Sequence, residues 1–207
     1  MSAVRIDRFD SGHVRRAVDV HIRAFPGFFL TSLGPAFLGE FYRSFLEEKT
    51  AFGFVAVDDK NGACLGAVFG TTAPVGFFRK LAAGRWWAFG LAALGQVARR
   101  PSIIGRLVRG LSYRGDPPAR PGYALLSSIA VSPEAQGRGI GRALLTAWVE
   151  EARARGGPGA YLTTDAADND AVNRFYRING WSLESSFVTP EGRKMNRYVL
   201  SFAGGAS

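Results

Sequence analysis

Residues 128–144 read SIAVSPEAQGRGIGRAL, and this stretch decides the fold. Pro133 stops a predicted strand, and a strong helical pattern begins at Gly139. The turn between them is rich in glycine, with Gly137 and Gly141 on either side of Gly139. Small residues let backbone amides converge on an anion, and a helix N-terminus adds its partial positive charge. The stretch therefore predicts a strand, an anion-binding turn and a helix.

The charges beside this turn indicate a phosphate or pyrophosphate ligand. Arg138 and Arg142 supply full positive charge there. The turn is not a P-loop, because that motif requires a Gly-Lys pair and the sequence has none. It is not the dinucleotide fingerprint G-x-G-x-x-G/A either. If the motif starts at Gly137 its last position is Arg142, and if it starts at Gly139 its last position is Leu144. From spacing alone, a plain strand–helix turn with glycines for tight packing stays an alternative.

The rest of the chain predicts one mixed α/β sheet flanked by helices. Apolar periodicity predicts strands over residues 4–9, 52–57, 64–71, 123–131, 160–164, 182–188 and 194–202. Helices are predicted after residues 10–11, after residues 34–35, over residues 139–155 and from residues 168–169 to 178. The order is β-α-α-β-β, a helical insertion, and then β-α-β-α-β-β, with a parallel crossover in the second half.

Most of the net charge of +9 belongs to the predicted insertion, at about residues 75–115. Residues 77–115 hold eight basic side chains and no acidic one, whereas the remainder of the chain has 18 basic and 17 acidic side chains. Three interpretations stay open: a helical lid with a solvated basic face, contact with an anionic membrane surface, and attraction of an acidic partner. Nucleic acid is disfavoured because no recognised binding motif is present. Apolar residues in the insertion also allow a homodimer contact.

Composition and cysteine usage limit the class of protein. With 207 residues, of which 47% are hydrophobic, the chain can fold as one domain over residues 1–207 and is not a disordered chain. The single cysteine, Cys64, excludes a disulfide scaffold and favours a reducing compartment. The charged N-terminus does not resemble a signal peptide, and the uncharged stretch 86–98 is too short to span a membrane. A cytoplasmic location is expected, with peripheral membrane contact as the alternative.

A second motif lies downstream, where residues 169–181 read NDAVNRFYRINGW. It resembles the pattern N-x-x-[AV]-x-x-F-Y-x-x-x-G-[FW] of the GNAT (Gcn5-related N-acetyltransferase) superfamily. The first stretch resembles the acetyl-coenzyme A loop of the same superfamily, Q/R-x-x-G-x-G/A, which Gln136, Gly139 and Gly141 match. The two motifs occur in order and on the expected elements. The resemblance is close over residues 123–202, and the element order extends it loosely to the first half.

The resemblance implies a fold, a donor and a set of contacts. The fold is the acyl-CoA N-acyltransferase fold, here with a helical insertion before the central strand. The donor is acetyl-CoA, from which the amine takes the acetyl group directly, without a covalent enzyme intermediate and without a metal. A strand-like pairing with the donor is implied for residues 129–131, and pyrophosphate contacts for residues 137–141. The implied donor-binding residues are Ile129, Ala130, Val131, Gln136, Gly137, Arg138, Gly139, Ile140, Gly141, Arg142, Asn169 and Asn173.

Tyr176 matches the general acid of the superfamily. A phenol with a pKa of about 10 is protonated at neutral pH and can give its proton to a departing thiolate. The alternative for Tyr176 is a half-buried helix residue that packs beside Phe175. Asn169 has two interpretations, a contact with the donor and a helix cap.

The sequence departs from many relatives at the general base. Residues 125–128, on the strand before the glycine turn, read LLSS and contain no carboxylate. The open candidates for the base are Asp165, His21, Glu40 and a water held by Ser127 or Ser128. An acceptor amine with a lowered pKa, such as an amino sugar, would need a weaker base.

The first two helices carry an aromatic stripe on what the resemblance implies is the acceptor side. Core packing is the default explanation for such a stripe. Residues 28–30 are predicted to form an aromatic loop between the two helices, and its Phe28 and Phe29 are the better candidates for a substrate wall. The predicted function is transfer of an acetyl group to a primary amine of a small molecule. The alternatives are a protein N-acetyltransferase, acting on a chain terminus or a lysine, and a non-catalytic acyl-CoA-binding protein of the same fold.

Overall fold

A computed structural model describes residues 3–77, 80, 87, 89–90, 120–190 and 192–202. Within these ranges one mixed sheet has the strand order β1-β2-β3-β4-β5-β7-β6. The strands are β1 (Val4–Arg8), β2 (Ala51–Asp58), β3 (Cys64–Thr71), β4 (Ala124–Val131), β5 (Gly159–Asp165), β6 (Ser182–Val188) and β7 (Lys194–Ser201). The helices are α1 (Val14–Ala24), α2 (Phe29–Ser32), α3 (Pro35–Glu47), α4 (Ile140–Ala154) and α5 (Asp170–Ile178).

The single α/β sheet, its element order and the parallel crossover from β4 to β5 confirm the prediction from the sequence. The prediction of an aromatic loop over residues 28–30 was wrong, because the short helix α2 begins at Phe29. Most of the predicted basic insertion, residues 75–115, lies outside the described residues. No helix in the described ranges is long and apolar enough to cross a membrane.

Two separate hydrophobic cores form on the sheet. One packs α1 and α3 against it through aromatic rings, with the Phe69 ring centroid 4.6 Å from that of Tyr42 and 4.7 Å from that of Phe9. Cys64 is buried in this core as a free cysteine. The other core contains Trp148 of α4, which stacks on Phe52 of β2. Burial of these rings fixes the helices to the sheet.

The central strand β4 has two very different edges. Along one edge it pairs with β3 in antiparallel fashion, with a bulge at Ser127. Along the other edge it pairs with β5 in parallel fashion at two positions alone, Ala124 with Ala160 and Leu125 with Tyr161. Beyond Leu125 the two strands separate. The sheet is therefore open between β4 and β5 towards the carboxyl ends of both strands.

Candidate active site

A cavity of about 1460 Å³ lies where β4 and β5 separate. Residues 126–131 of β4 line one side of it and residues 162–165 of β5 line the other. The edge of a strand that has no partner presents free N–H and C=O groups, which an extended chain carrying amides can pair with as an added strand. The opening can therefore hold an extended, amide-containing ligand.

The antiparallel ladder shows which groups of β4 face this opening. Ser132 donates its N–H to the Leu65 carbonyl across the β3–β4 edge, at 2.8 Å. Hydrogen-bonding residues alternate along an antiparallel pair, so the backbone of Ala130 also points to β3. The backbone groups of Ile129 and Val131 then point to the cavity. One of them is partly used already, because the Gln136 amide donates to the Val131 carbonyl at 3.4 Å.

The glycine turn forms the polar end of the cavity. Gly137 and Gly139 adopt φ angles of 75° and 77°, a left-handed backbone that other residues enter only with strain. Gly139 is the N-cap of α4 and no side chain caps the helix, so the first-turn amides of α4 have no partner within the helix. Within the described part of the chain, Arg138 and Arg142 form no ion pair. Free amides and free cations at one helix N-terminus suit a phosphate group.

Tyr176 reaches the cavity from α5. It lines the cavity although only 5% of its surface is exposed, so it is buried rather than half-buried. Burial raises the pKa of Tyr176 far above its ordinary value, because the charged phenolate would be poorly solvated there. The hydroxyl is therefore protonated at neutral pH and available as a proton donor.

The two asparagines of the second motif have different surroundings. Asn169 lines the cavity, and its amide donates to Thr164 Oγ1 at 2.9 Å and to the Asp165 carbonyl at 3.1 Å. The suggestion that its side chain caps α5 was wrong, because no cap hydrogen bond forms. Both strand-end partners belong to β5. Asn169 therefore ties the start of α5 to the end of β5.

Asn173 is buried and does not line the cavity. Its amide nitrogen donates to the Asp165 carbonyl at 2.9 Å and to the Asn169 carbonyl at 2.8 Å. Its amide oxygen accepts from Asn196 at 2.9 Å and from the Tyr198 hydroxyl at 3.0 Å. All four hydrogen-bonding positions of the side chain are thus used within the protein. Asn173 holds β5, α5 and β7 together behind the cavity.

The structure separates the four candidates for the general base. The Asp165 carboxylate lines the cavity, but both of its oxygens bind Arg193, at 2.7 and 2.8 Å. Glu40 lies outside the cavity lining and pairs with Arg43 at 2.5 Å. Ser127 and Ser128 both line the cavity. The fourth candidate, His21, lines the cavity without a charged partner in the described ranges.

His21 is held by one buried hydrogen bond. Its Nδ1 lies 2.7 Å from the Tyr42 hydroxyl, and its Nε2 is buried with no hydrogen-bond partner in the described structure. Burial lowers the pKa of His21 to about 4, so the imidazole is neutral at pH 7. Tyr42 keeps its proton, because burial raises its pKa. The pair is therefore an uncharged, oriented donor–acceptor unit at the wall of the cavity.

The structure brings most of the predicted site residues together and shows one that the sequence did not reveal. Arg193, at the start of β7, lines the cavity through its ion pair with Asp165. A lone arginine after a turn carries no sequence signal, so only the fold reveals it. Of the predicted residues, Arg138 and Asn173 lie outside the cavity lining. Those that line it are Ile129, Ala130, Val131, Gln136, Gly137, Gly139, Ile140, Gly141, Arg142, Asn169 and Tyr176.

Comparison with known proteins places the chain. Its sequence matches the model of the acetyltransferase (GNAT) family over residues 17–181. No curated protein matches the chain. Three solved structures share its fold. Ard1 from Thermoplasma volcanium is 13% identical with a TM-score of 0.60, and the alignment covers 96% of this chain and 97% of that one. A chimera of the spermidine N-acetyltransferase SpeG from Vibrio cholerae and hSSAT is 14% identical with a TM-score of 0.62, covering 97% of this chain and 96% of that one. Arabidopsis thaliana NAA60 in complex with acetyl-CoA is 16% identical with a TM-score of 0.58, covering 98% of this chain and 100% of that one.

The buried His21 predicts a specific loss of stability in acid. Its pKa is about 4 in the folded protein and about 6.5 in the unfolded chain, so between these values the unfolded chain binds the proton first. Stability is lost as the pH falls from about 7 towards 4, by about 2 kcal/mol between pH 7 and pH 5. Urea unfolding at the two pH values measures this loss. In His21→Gln the loss is smaller by that amount. Equal losses in the parent protein and in His21→Gln would contradict the assignment.

Proposed function

Because the chain belongs to the GNAT acetyltransferase family, we propose that it transfers the acetyl group of acetyl-CoA to the primary amine of a small molecule. One observation carries the proposal: the open edge of β4 runs directly into an uncapped, glycine-rich helix start. Acetyl-CoA has the matching shape, an extended amide-bearing arm joined to a pyrophosphate. We further propose that residues 1–207 form one domain, which the family match supports because it runs across the inserted segment.

The donor is bound by two groups of this chain. Ile129 and Val131 offer backbone N–H and C=O groups to the arm, and the amides of residues 137–141 face the pyrophosphate with Arg142 beside them. Arg138, outside the cavity lining, adds positive charge at the same turn. A Cβ built at Gly139 would meet no atom within 4 Å. The space beside this glycine is therefore open to the ligand.

Tyr176 supplies the proton that the transfer needs at its end. Acetyl-CoA provides an activated thioester, and the amine attacks its carbonyl carbon while the sulfur departs. The Tyr176 hydroxyl gives a proton to the departing sulfur. Because burial raises the pKa of this phenol, the proton moves only once strong negative charge has developed on the sulfur. The Val131 N–H, on the free edge of β4, would stabilise the charge that develops on the carbonyl oxygen.

A weak base accepts the proton that the amine loses. Asp165 is neutralised by Arg193, and Glu40 does not line the cavity. We assign the role to His21, with a water held by Ser127 or Ser128 as the relay between amine and imidazole. A neutral imidazole of low pKa accepts a proton poorly, so an acceptor that binds as the free amine is favoured.

Replacement of Gly139 by alanine tests the donor site. Saturating acetyl-CoA at about 100 times Kd adds roughly 2.7 kcal/mol to the stability, which raises the melting temperature by about 5–10 °C. Gly139→Ala weakens binding at least tenfold, because the left-handed turn that aims the amides is strained. Gly62→Ala is the matched control: its φ of 67° is equally left-handed, its Cβ also meets nothing within 4 Å, and it lies in the β2–β3 turn. Both variants lose about 1 kcal/mol of intrinsic stability. An equal acetyl-CoA shift in both would contradict the assignment of the turn.

Replacement of Tyr176 by phenylalanine tests the proton donor. Tyr176→Phe lowers kcat by about 100-fold and leaves KM for acetyl-CoA within about twofold, because the hydroxyl acts on the departing sulfur rather than in binding. Initial rates of CoA release measure both constants. The control is Tyr198→Phe, which removes the buried hydroxyl that donates to Asn173 outside the cavity lining. This variant loses about 1 kcal/mol of stability, and its kcat changes little. Unchanged kcat in Tyr176→Phe would remove the tyrosine from the mechanism.

A further inference from the structure

The wall of the cavity that residues 21–41 of the α1–α3 segment form is almost wholly apolar. Its large side chains are Phe25, Phe28, Leu30, Leu33, Phe37 and Phe41. Among the described lining residues from the first half of the chain, His21 carries the one polar side chain. This aromatic wall continues the same cavity that β4 and β5 open, so whatever lies against it can reach the proposed transfer site.

The aromatic wall is formed before any ligand binds. The Phe28 N–H donates to the Phe25 carbonyl at 3.2 Å, and the Thr31 hydroxyl donates to the same carbonyl at 2.6 Å. These bonds fix the turn between α1 and α2, and the Phe25 and Phe28 ring centroids stand 4.9 Å apart. Phe28 is nevertheless 48% exposed. A ring held at a cavity wall yet half open to water gains burial when an apolar body covers it.

The charge of the described cavity lining disfavours acceptors with several positive charges. The charged side chains among its described lining residues are Arg142, Arg193 and Asp165. Among the described lining residues Asp165 is the single carboxylate, and both of its oxygens bind Arg193. A polyamine or a basic peptide would therefore bring its additional ammonium groups to a cavity with a net positive lining and no free carboxylate.

We propose that the acceptor is a small apolar amine, whose aromatic or alkyl body lies against the aromatic wall with its single amino group beside His21. The inference rests on the proposed function, since it names the substrate of that site. An amino sugar, which the sequence left open, would place several hydroxyl groups against a wall with one polar partner. The apolar wall also disfavours the charged ammonium form, so the amine binds as the free base that attacks the thioester.

Competing amines test the substrate class. With saturating acetyl-CoA and the full chain, kcat/KM is measured for 2-phenylethylamine, glucosamine and spermidine. The proposal expects 2-phenylethylamine to exceed each of the others by about 100-fold, because only its body matches the wall. Equal or better use of glucosamine or spermidine would overturn it. Octanoyl-CoA is compared with acetyl-CoA as donor, and a preference for octanoyl-CoA would also overturn the proposal, because an acyl chain would then occupy the wall.

Two variants at equally exposed positions test whether the amine binds against Phe28. Phe28→Ala raises KM for 2-phenylethylamine about tenfold and leaves KM for acetyl-CoA and kcat within about twofold. Leu183→Ala is the control, since Leu183 is 49% exposed on β6 and does not line the cavity. Equal KM values in both variants and the parent would overturn the assignment of the wall.

Failure of this inference and failure of the proposed function give different results. If acetyl-CoA raises the melting temperature and another amine is acetylated while 2-phenylethylamine is not, the substrate class is wrong and the proposed function stands. If acetyl-CoA gives no shift and none of the amines is acetylated, both are wrong.

Discussion

The separation of β4 from β5 is the constraint on which the rest of the site depends. It persists because each strand is secured from its other side. β5 pairs with β7 from Gly159 to Asp165, and β4 pairs with β3 along most of its length. A Cβ at Gly70 of β3 would overlap the Leu125 carbonyl and the Trp148 ring, so β3, β4 and α4 are packed at their closest there. Each half of the sheet is thus complete without the other. The gap between them leaves free backbone groups that a ligand can use.

The two ends of the cavity differ in polarity, and this difference orders the chemistry. At the glycine turn, uncapped amides favour an anion, as do Arg138 and Arg142, which form no ion pair with another described residue. Along α1–α3 the described lining is apolar except for the neutral His21, which the buried Tyr42 hydroxyl holds from behind. Tyr176 lines the cavity from α5, and burial there keeps its phenol protonated. The proposed donor, through its charged head, and the proposed uncharged amine would therefore bind in different parts of one cavity.

The sequence predicts the features that are local in the chain. The glycine turn lies where the sequence predicts it, and the elements around it begin and end within about two residues of their predicted bounds. Features that depend on long-range contacts are not predictable in this way. The parallel pairing that stops after Leu125 has no sequence signal, because it depends on what secures the outer edges of β4 and β5.

Individual residues of the site show the same limit. His21 and Tyr42 meet across two helices, 21 residues apart in the chain. Asn169 and Asn173 share one helix face by their spacing, yet only the position of β7 turns Asn173 away from the cavity and into a buried network. The aromatic stripe was expected to be mainly core, and Phe41 is both core and cavity wall.

The proposed function depends on the free edge of β4, which would hold the extended arm of acetyl-CoA. Amide hydrogen exchange of β4, followed by NMR with and without acetyl-CoA, measures this pairing residue by residue. The amides of Ile129 and Val131, which face the opening, are expected to exchange at least tenfold more slowly when acetyl-CoA is bound. The Ala130 amide, already directed to β3, keeps its rate and serves as the internal reference. Unchanged exchange at Ile129 and Val131 under saturating acetyl-CoA would show that the arm does not pair with this edge.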